Sequence, residues 1–442
     1  LVHKETQVKR WLVMRLSYFY CLFFCAVIQA PSLCDLLSYV QRQEECFNWE
    51  VVGKEEVSGT QIFRLQLVSQ QWHGVNWKHK ISVYIPTDLK YRNVMGMLIT
   101  GSGFSKGDDV YGALTSNLLK APLAFLYDIP NQPLFGGLYE DDLIAHTFSE
   151  YLKTGDETLP LLLPMVKSAV KAMDAIQAFM KQQFGFAPEG FVITGASKRG
   201  WTTWLTAACD KRVKGIVPIV FDNLNFFVQM PHQVKMFGRF SEMIDEYTKR
   251  GLMEHMNSER GKRLVELVDP YFYRQKFTMP KLIVNATNDR YWAVDALNFY
   301  WDELPGEKWV LYVPNAGHSL EGNYEKVIMA LVAFFHHVAG GAPFPKMRWQ
   351  HDSDGKKLSL KLASKPAPTN VTIWFANSPT TDFRDAKWVP IPAKLNEATS
   401  EYVGEIDIPE KGYVAMFGEA HFNINGISFS LTTTLRISPK VE

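Results

Sequence analysis

Apolar positions recur along the chain in two patterns. At 62–68 and 80–85 they alternate with polar ones, as half-buried antiparallel strands do, whereas the runs at 94–100, 123–129, 190–194, 215–221, 281–286 and 309–313 are nearly continuous. Continuous runs of that length suit parallel strands covered on both faces. Helical spacing fills 161–183, 201–208, 294–301 and 324–338. Eight strands interleaved with helices predict a doubly wound, mostly parallel α/β sheet. The 223–279 segment is too long for a simple crossover and has helical patterns of its own at 234–247 and 258–268, so it predicts a lid inserted after the sixth strand.

After Gly340-Gly341-Ala342-Pro343 the pattern changes to short alternating strands at 358–362, 371–375, 415–417 and 428–435, separated by Pro, Asn and Gly. This predicts an all-β sandwich of immunoglobulin or fibronectin type over 345–442, following a domain over 33–344. A length of 442 residues accommodates both cores.

The start of the chain reads as an export signal. Residue 1 is Leu, and Met14 is a candidate initiator, followed by Arg15, an apolar run over 16–28 and Ala30-Pro31-Ser32. Residues 1–32 are therefore expected to comprise upstream residues and a signal peptide cleaved after Ala30 or Ser32. The alternative is a signal anchor over 11–30. Cleavage would leave an extracellular protein with no membrane span. Of the five Cys, Cys21 and Cys25 fall in the leader. Export permits a Cys34–Cys46 disulfide, with Cys209 a buried thiol. Asn370 and Asn285 head glycosylation sequons, and Asn370 is the preferred acceptor because Asn285 closes a buried strand.

Charge narrows the partners. Forty-seven Lys plus Arg balance 46 Asp plus Glu, so no long-range field favours nucleic acid. No HExxH, CxxC pair, GxGxxG or P-loop occurs, and neither a metal nor a cofactor is expected.

The chemistry gathers at three strand ends. Gly195-Ala196-Ser197-Lys198-Arg199-Gly200 lies between a strand and a helix, where a nucleophile elbow needs small residues around a strained serine. Arg199 stands where the G-x-S-x-G pattern wants a small residue, so the match is to G-x-S-x-x-G. Gly-Ala-Ser is also an ordinary turn into a helix. Asp289 follows the seventh strand and His318 the eighth, in the chain order Ser, Asp, His of α/β hydrolases. Ser197 is thus the candidate nucleophile, His318 the base and Asp289 the acid, with Asp222 the alternative acid. Gly101, Ser102 and Gly103 follow the third strand, where a second oxyanion donor arises. Lys198 either places a cation near the developing charge or faces solvent. His232 and His255, in the expected lid, read as packed or exposed.

Several segments resemble the PhoPQ-activated pathogenicity-related protein family: Val68-Ser69-Gln70-Gln71-Trp72, Trp77-Lys78-His79, Leu159-Pro160-Leu161-Leu162-Leu163-Pro164-Met165, the elbow with Trp201, and Asp382-Phe383-Arg384. The resemblance implies an α/β-hydrolase-type fold, often exported, with Ser197, Asp289 and His318 at the triad positions. One branch of the family is similar to secreted signals that restrain proliferation. Locally the elbow is also similar to the G-C-S-R-x-G turn of glucuronoyl esterases, with Lys198 at their Arg position. The leading expectation is a secreted serine hydrolase acting on a small-molecule or peptide ester or amide. The alternative is a non-catalytic extracellular signal or binding protein that engages a cell-surface receptor. A third reading has Trp374 and Trp388 stacking on sugars.

Overall fold

A computed structural model describes residues 35–101 and 103–441. The expected leader, its cleavage site, Cys34 with its pairing to Cys46, and Ser102 lie outside the described residues.

Helix α1 (Leu36–Gln41) precedes three antiparallel strands, β1 (Asn48–Val57), β2 (Thr60–Trp72) and β3 (Val75–Ile85). Both hairpins turn on two residues of positive φ, Ser58-Gly59 and His73-Gly74, a backbone whose twist matches that of the flanking strands. β1 was not foreseen because it lies at the sheet edge with most of its residues exposed, which removes the apolar signal.

The chain then runs through β4 (Val94–Ile99), α2 (Lys106–Leu119), β5 (Leu123–Leu126), α3 (Glu140–Thr154), α4 (Leu162–Phe184), β6 (Gly190–Ala196), α5 (Lys198–Cys209) and β7 (Val213–Ile219). After the inserted segment come β8 (Lys281–Ala286), β9 (Lys308–Val313) and a final long helix at Tyr324–Gly340. In space the order is β1-β2-β3-β5-β4-β6-β7-β8-β9, parallel from β5 onward. From β2 to β9 this is the strand order of an α/β hydrolase, and the ends of β6, β8 and β9 meet on one edge of the sheet.

Between β7 and β8, helix α6 (Phe226–Phe237) stops at Gly238, which takes φ 74°. The helix expected over 234–247 is broken there, because a left-handed glycine ends it. A 3₁₀ turn and two short α-helical turns follow, and then α7 (Glu259–Val268), whose cap Ser258 accepts from the Gly261 amide. The fully buried Asp269 carboxylate accepts from the backbone of Asn225, Phe226 and Tyr271, tying both ends of the segment together. Burial pushes this carboxyl up to about 7, against the pull of those three donors. The helix expected over 294–301 shortens to a 3₁₀ turn, Ala296–Phe299.

The C-terminal strands form two facing layers. One contains β12 (Asn370–Ser378), β13 (Val389–Pro392), β16 (Tyr413–Ile424), β17 (Ile427–Thr432) and β18 (Arg436–Ser438). The other contains β10 (Lys346–Ser353), β11 (Lys357–Lys365), β14 (Lys394–Asn396) and β15 (Glu401–Asp407). No loose linker separates them from the hydrolase sheet. Phe344 is buried between Trp309 and a parallel-stacked Phe429, and Thr432 of β17 pairs with Val310 of β9. Residues Asp35–Glu442 accordingly form one compact unit. Trp388 is core, packed on Phe417, so it is not available to stack on a sugar. Trp374 donates to Glu419. No helix among the described residues is long and apolar enough to cross a membrane.

The two layers approach closely at Gly404, where an added Cβ would lie 2.3 Å from Ile373 Cγ1. Gly404→Ala is expected to cost about 1–3 kcal/mol in urea unfolding through overpacking. Ile373→Ala, which removes that carbon, should relieve part of that cost in the double variant; strictly additive effects would contradict this packing.

Candidate functional site

Ser197 joins β6 to α5 with φ 57° and ψ −124°, a conformation costly for any side chain but glycine. Its neighbours explain how the strain is held. A Cβ on Gly195 would sit 2.6 Å from the Arg199 carbonyl oxygen, and one on Gly200 2.9 Å from that of Ile219. Those two positions must be bare; position 199 need not be. Ser197 N–H donates to Ile219 O at 2.9 Å, and Trp201 N–H to Ser197 O at 3.0 Å, fixing the turn.

The Arg199 side chain leaves the elbow and runs beneath the glycine loop. Its guanidinium pairs bidentately with Glu140 at the start of α3 (2.6 and 2.7 Å), and Nε donates to Ile129 O at 2.5 Å. A Cβ on Gly101 would lie 1.6 Å from Arg199 Nη2, so only glycine permits this approach. The expected second donor loop is thereby held against the helix that follows Ser197. Gly103 is exposed in that loop. Burial opposes ionisation of Glu140, but Arg199 outweighs it and brings the carboxyl down to about 2.

Asp289 and His318 meet at the ends of β8 and β9. Asp289 Oδ2 lies 2.7 Å from His318 Nδ1, and Oδ1 accepts the Tyr291 amide at 2.8 Å. A carboxylate only accepts, so Nδ1 carries the proton and Nε2 is left as the basic nitrogen. Nε2 is buried and has no hydrogen-bond partner among the described residues. Ser197 and His318 are therefore not bonded to each other at rest, as is common before substrate closes such a contact. The Tyr291 ring packs against His318 with centroids 4.2 Å apart, tilted by 33°, and with Ser197 it lines a cavity.

Asp222, the alternative acid, is buried elsewhere, accepting from Asn285 (2.7 Å) and Tyr300 (2.6 Å). Burial raises its carboxyl to about 8, and no bond links it to His318. His232 pairs with Asp295 at 2.7 Å, and His255 is exposed. Lys198 neither faces solvent nor stands free: its Nζ lies 2.6 Å from Asp141 and 3.6 Å from Glu140. Tyr247 and Tyr291 donate to the same Asp141 carboxylate, at 2.9 and 3.2 Å. Burial and then that carboxylate push both phenols up, which keeps them neutral donors. Among the described residues no group of three or more His, Cys, Asp or Glu is placed to hold a metal ion.

The loops bearing Asp289 and His318 are anchored from the C-terminal layers. Asn288 donates to the carbonyls of Arg384 and Ala386, and Asn315 exchanges two hydrogen bonds with the Trp388 backbone. Arg384 itself reaches Glu242 of the inserted segment at 3.0 Å. The Asp382-Phe383-Arg384 motif therefore lies in the segment that supports the Asp289 and His318 loops. The other motifs form a buried polar belt: His79 contacts Ser69 and Asp128 O, and Gln70 donates to Ser168 and Pro164 O.

Glu140, Asp141, Tyr247 and Tyr291 were not anticipated. The acidic Glu140-Asp141-Asp142 run ahead of Leu143, Ile144, Phe148 and Tyr151 is a helix-start signal that would have placed the first two.

The sequence profile of a family described as PhoPQ-activated pathogenicity-related protein matches residues 36–384. Autocrine proliferation repressor protein A of Dictyostelium discoideum is 30% identical over 441 aligned positions, covering 91% of this chain and 89% of that protein. Among solved structures, an acetyl xylan esterase from Paenibacillus sp. R4 is similar at 13% identity and a TM-score of 0.49, over 67% of this chain and 91% of that one. Est1E from Butyrivibrio proteoclasticus is similar at 15% identity and a TM-score of 0.37, over 60% and 95% of the two chains.

The Glu140–Arg199 pair gives a pH-dependent prediction. Glu140 is depressed in the folded state, so its contribution is present above its ordinary value of 4.5 and lost as pH falls through about 2. Because Glu140 is 39% exposed, Glu140→Gln should cost about 1–3 kcal/mol at pH 7, less than a fully buried pair would. In urea unfolding the gap between wild type and variant should shrink as pH falls from 4.5 towards 2; a gap independent of pH would refute the pairing.

Proposed function

The chain belongs to the PhoPQ-activated pathogenicity-related protein family, and from the geometry of its site we propose that it is a secreted serine hydrolase cleaving an ester or amide through an acyl-enzyme. The observation that carries this reading is the Asp289–His318 hydrogen bond, which leaves a buried, unengaged Nε2 on the same sheet edge as the strained Ser197.

Ser197 Oγ attacks the substrate carbonyl carbon while His318 Nε2 takes the hydroxyl proton. The oxyanion is met by the Lys198 backbone N–H, at the positive end of α5, and by the glycine loop braced on Arg199. The bond to the leaving group breaks as His318 returns the proton to it. Water then attacks the acyl-enzyme by the same route, releasing the acid and restoring the Ser197 hydroxyl. Asp289 holds the imidazole tautomer and stabilises the transient imidazolium.

A second reading is favoured by the name of the Dictyostelium relative: an extracellular repressor-type signal that keeps the fold without turnover and acts through a receptor. The two readings separate at Ser197. A fluorophosphonate probe should label the wild type, and Ser197→Ala and His318→Ala should abolish labelling. Asp289→Asn should lower turnover by roughly 10⁴-fold. A folded wild type that resists the probe would reject the hydrolase and leave the signal.

Secretion is read from the leader-like start and from the sequons. Asn370 is exposed at the start of β12, while Asn285 is buried and bonded to Asp222. Protein recovered from medium should shift in mobility on deglycosylation, and Asn370→Gln should remove the shift. A shift that persists in that variant would point to another acceptor.

A further inference from the structure

The cavity lined by Ser197 and Lys198, to whose wall His318 does not contribute, is an apolar chamber of about 90 Å³. Trp201 stacks on Phe221 at 5.0 Å along one wall, and Leu252, Met253, Met256 and Leu264 of the inserted segment contribute another. The polar groups at this wall satisfy one another: Lys198, Tyr247 and Tyr291 all converge on Asp141. Their charges also balance, with the Lys198 and Arg199 cations facing the Glu140 and Asp141 carboxylates. A ligand entering the chamber therefore meets apolar surface and no unpaired charge.

We propose that this chamber is the acyl pocket, and that the substrate is an ester of an uncharged, short-chain apolar carboxylic acid. The inference rests on the serine-hydrolase reading and adds to it the chemistry of the bound group. Two observations assign the chamber to the acyl side. His318 must reach the leaving oxygen to protonate it, so the alcohol lies on the imidazole side. The chamber is lined by Ser197 but not by His318, and Tyr291, whose ring packs on His318, forms part of its wall. On the scale of an apolar cavity of about 150 Å³ that takes benzene, this volume holds roughly three or four carbons, the tail of a butanoyl chain. A carboxylate on the acyl chain would have to displace Asp141 from Lys198 and lose its hydration in an apolar chamber. The local similarity to the glucuronoyl-esterase elbow does not extend to a free cation: the Lys198 ammonium is already neutralised.

The test is a series of p-nitrophenyl esters on the full chain: acetate, butanoate, hexanoate and dodecanoate, with the monoester of butanedioic acid as the charged analogue of butanoate. Each methylene moved from water into the chamber multiplies kcat/KM by about four, so butanoate, two methylenes longer, should exceed acetate by roughly fifteenfold. It should exceed the butanedioate monoester by at least as much, and activity should fall by dodecanoate. Met253→Trp and, independently, Met256→Trp should fill the chamber and bring the butanoate-to-acetate ratio towards one. Fluorophosphonate labelling is read in parallel. A wild type that labels at Ser197 but hydrolyses all chain lengths equally, or prefers the charged ester, overturns the acyl-pocket assignment and leaves the hydrolase intact. A wild type that neither labels nor turns over any ester overturns both.

Discussion

A guanidinium buried against a glycine sets the geometry of the candidate site. Arg199 belongs to the nucleophile elbow, yet its side chain ends beneath Gly101, clamped by Glu140 and by the Ile129 carbonyl. The strained Ser197 and the loop that would receive an oxyanion are thus held by one residue rather than by two independently packed segments. The pair must stay whole: without Glu140, a charge would be left under the loop with too few partners. The same contact explains the elbow sequence. The small residue expected at 199 is displaced to Gly200, where the Ile219 carbonyl leaves no room for a Cβ, because position 199 carries the brace.

A second support reaches the site from the other side. Asn288 and Asn315 bind the backbone between Arg384 and Trp388, so the loops that present Asp289 and His318 are held by the C-terminal strands. Phe344, Trp309 and Phe429 close the junction at the far end of the same sheets. A sandwich used in this way is part of what orients the Asp289 and His318 loops. That role accounts for a motif as remote in sequence as Asp382-Phe383-Arg384 appearing beside the elbow motif.

The sequence was most informative where burial is uniform. β4 through β9 are covered on both faces, so their apolar runs announce themselves, and the residues at their ends follow from the strand order. Partial exposure hid other elements. β1 lies at an edge, and α2 shows Val110, Tyr111 and Leu114 to solvent, which blurs its amphipathic stripe. The break in the inserted segment depends on the left-handed backbone of Gly238, which periodicity does not encode. Lys198 was ambiguous for another reason. Its fate depends on Asp141, 57 residues away, and a pairing of that range is set by tertiary structure alone.

The Asp269 carboxylate gives the inserted segment a distinctive topology. Because Asn225, Phe226 and Tyr271 meet at one acceptor, the chain leaves the sheet and returns to it at nearly the same point. The segment is a loop already closed at its neck, and lengthening such a loop costs entropy only logarithmically. Residues can be gained or lost beyond that neck while β7 and β8 keep their spacing. The fold thus places the Ser197 turn and its partners on the sheet and one wall of the cavity on a segment whose length the sheet does not constrain.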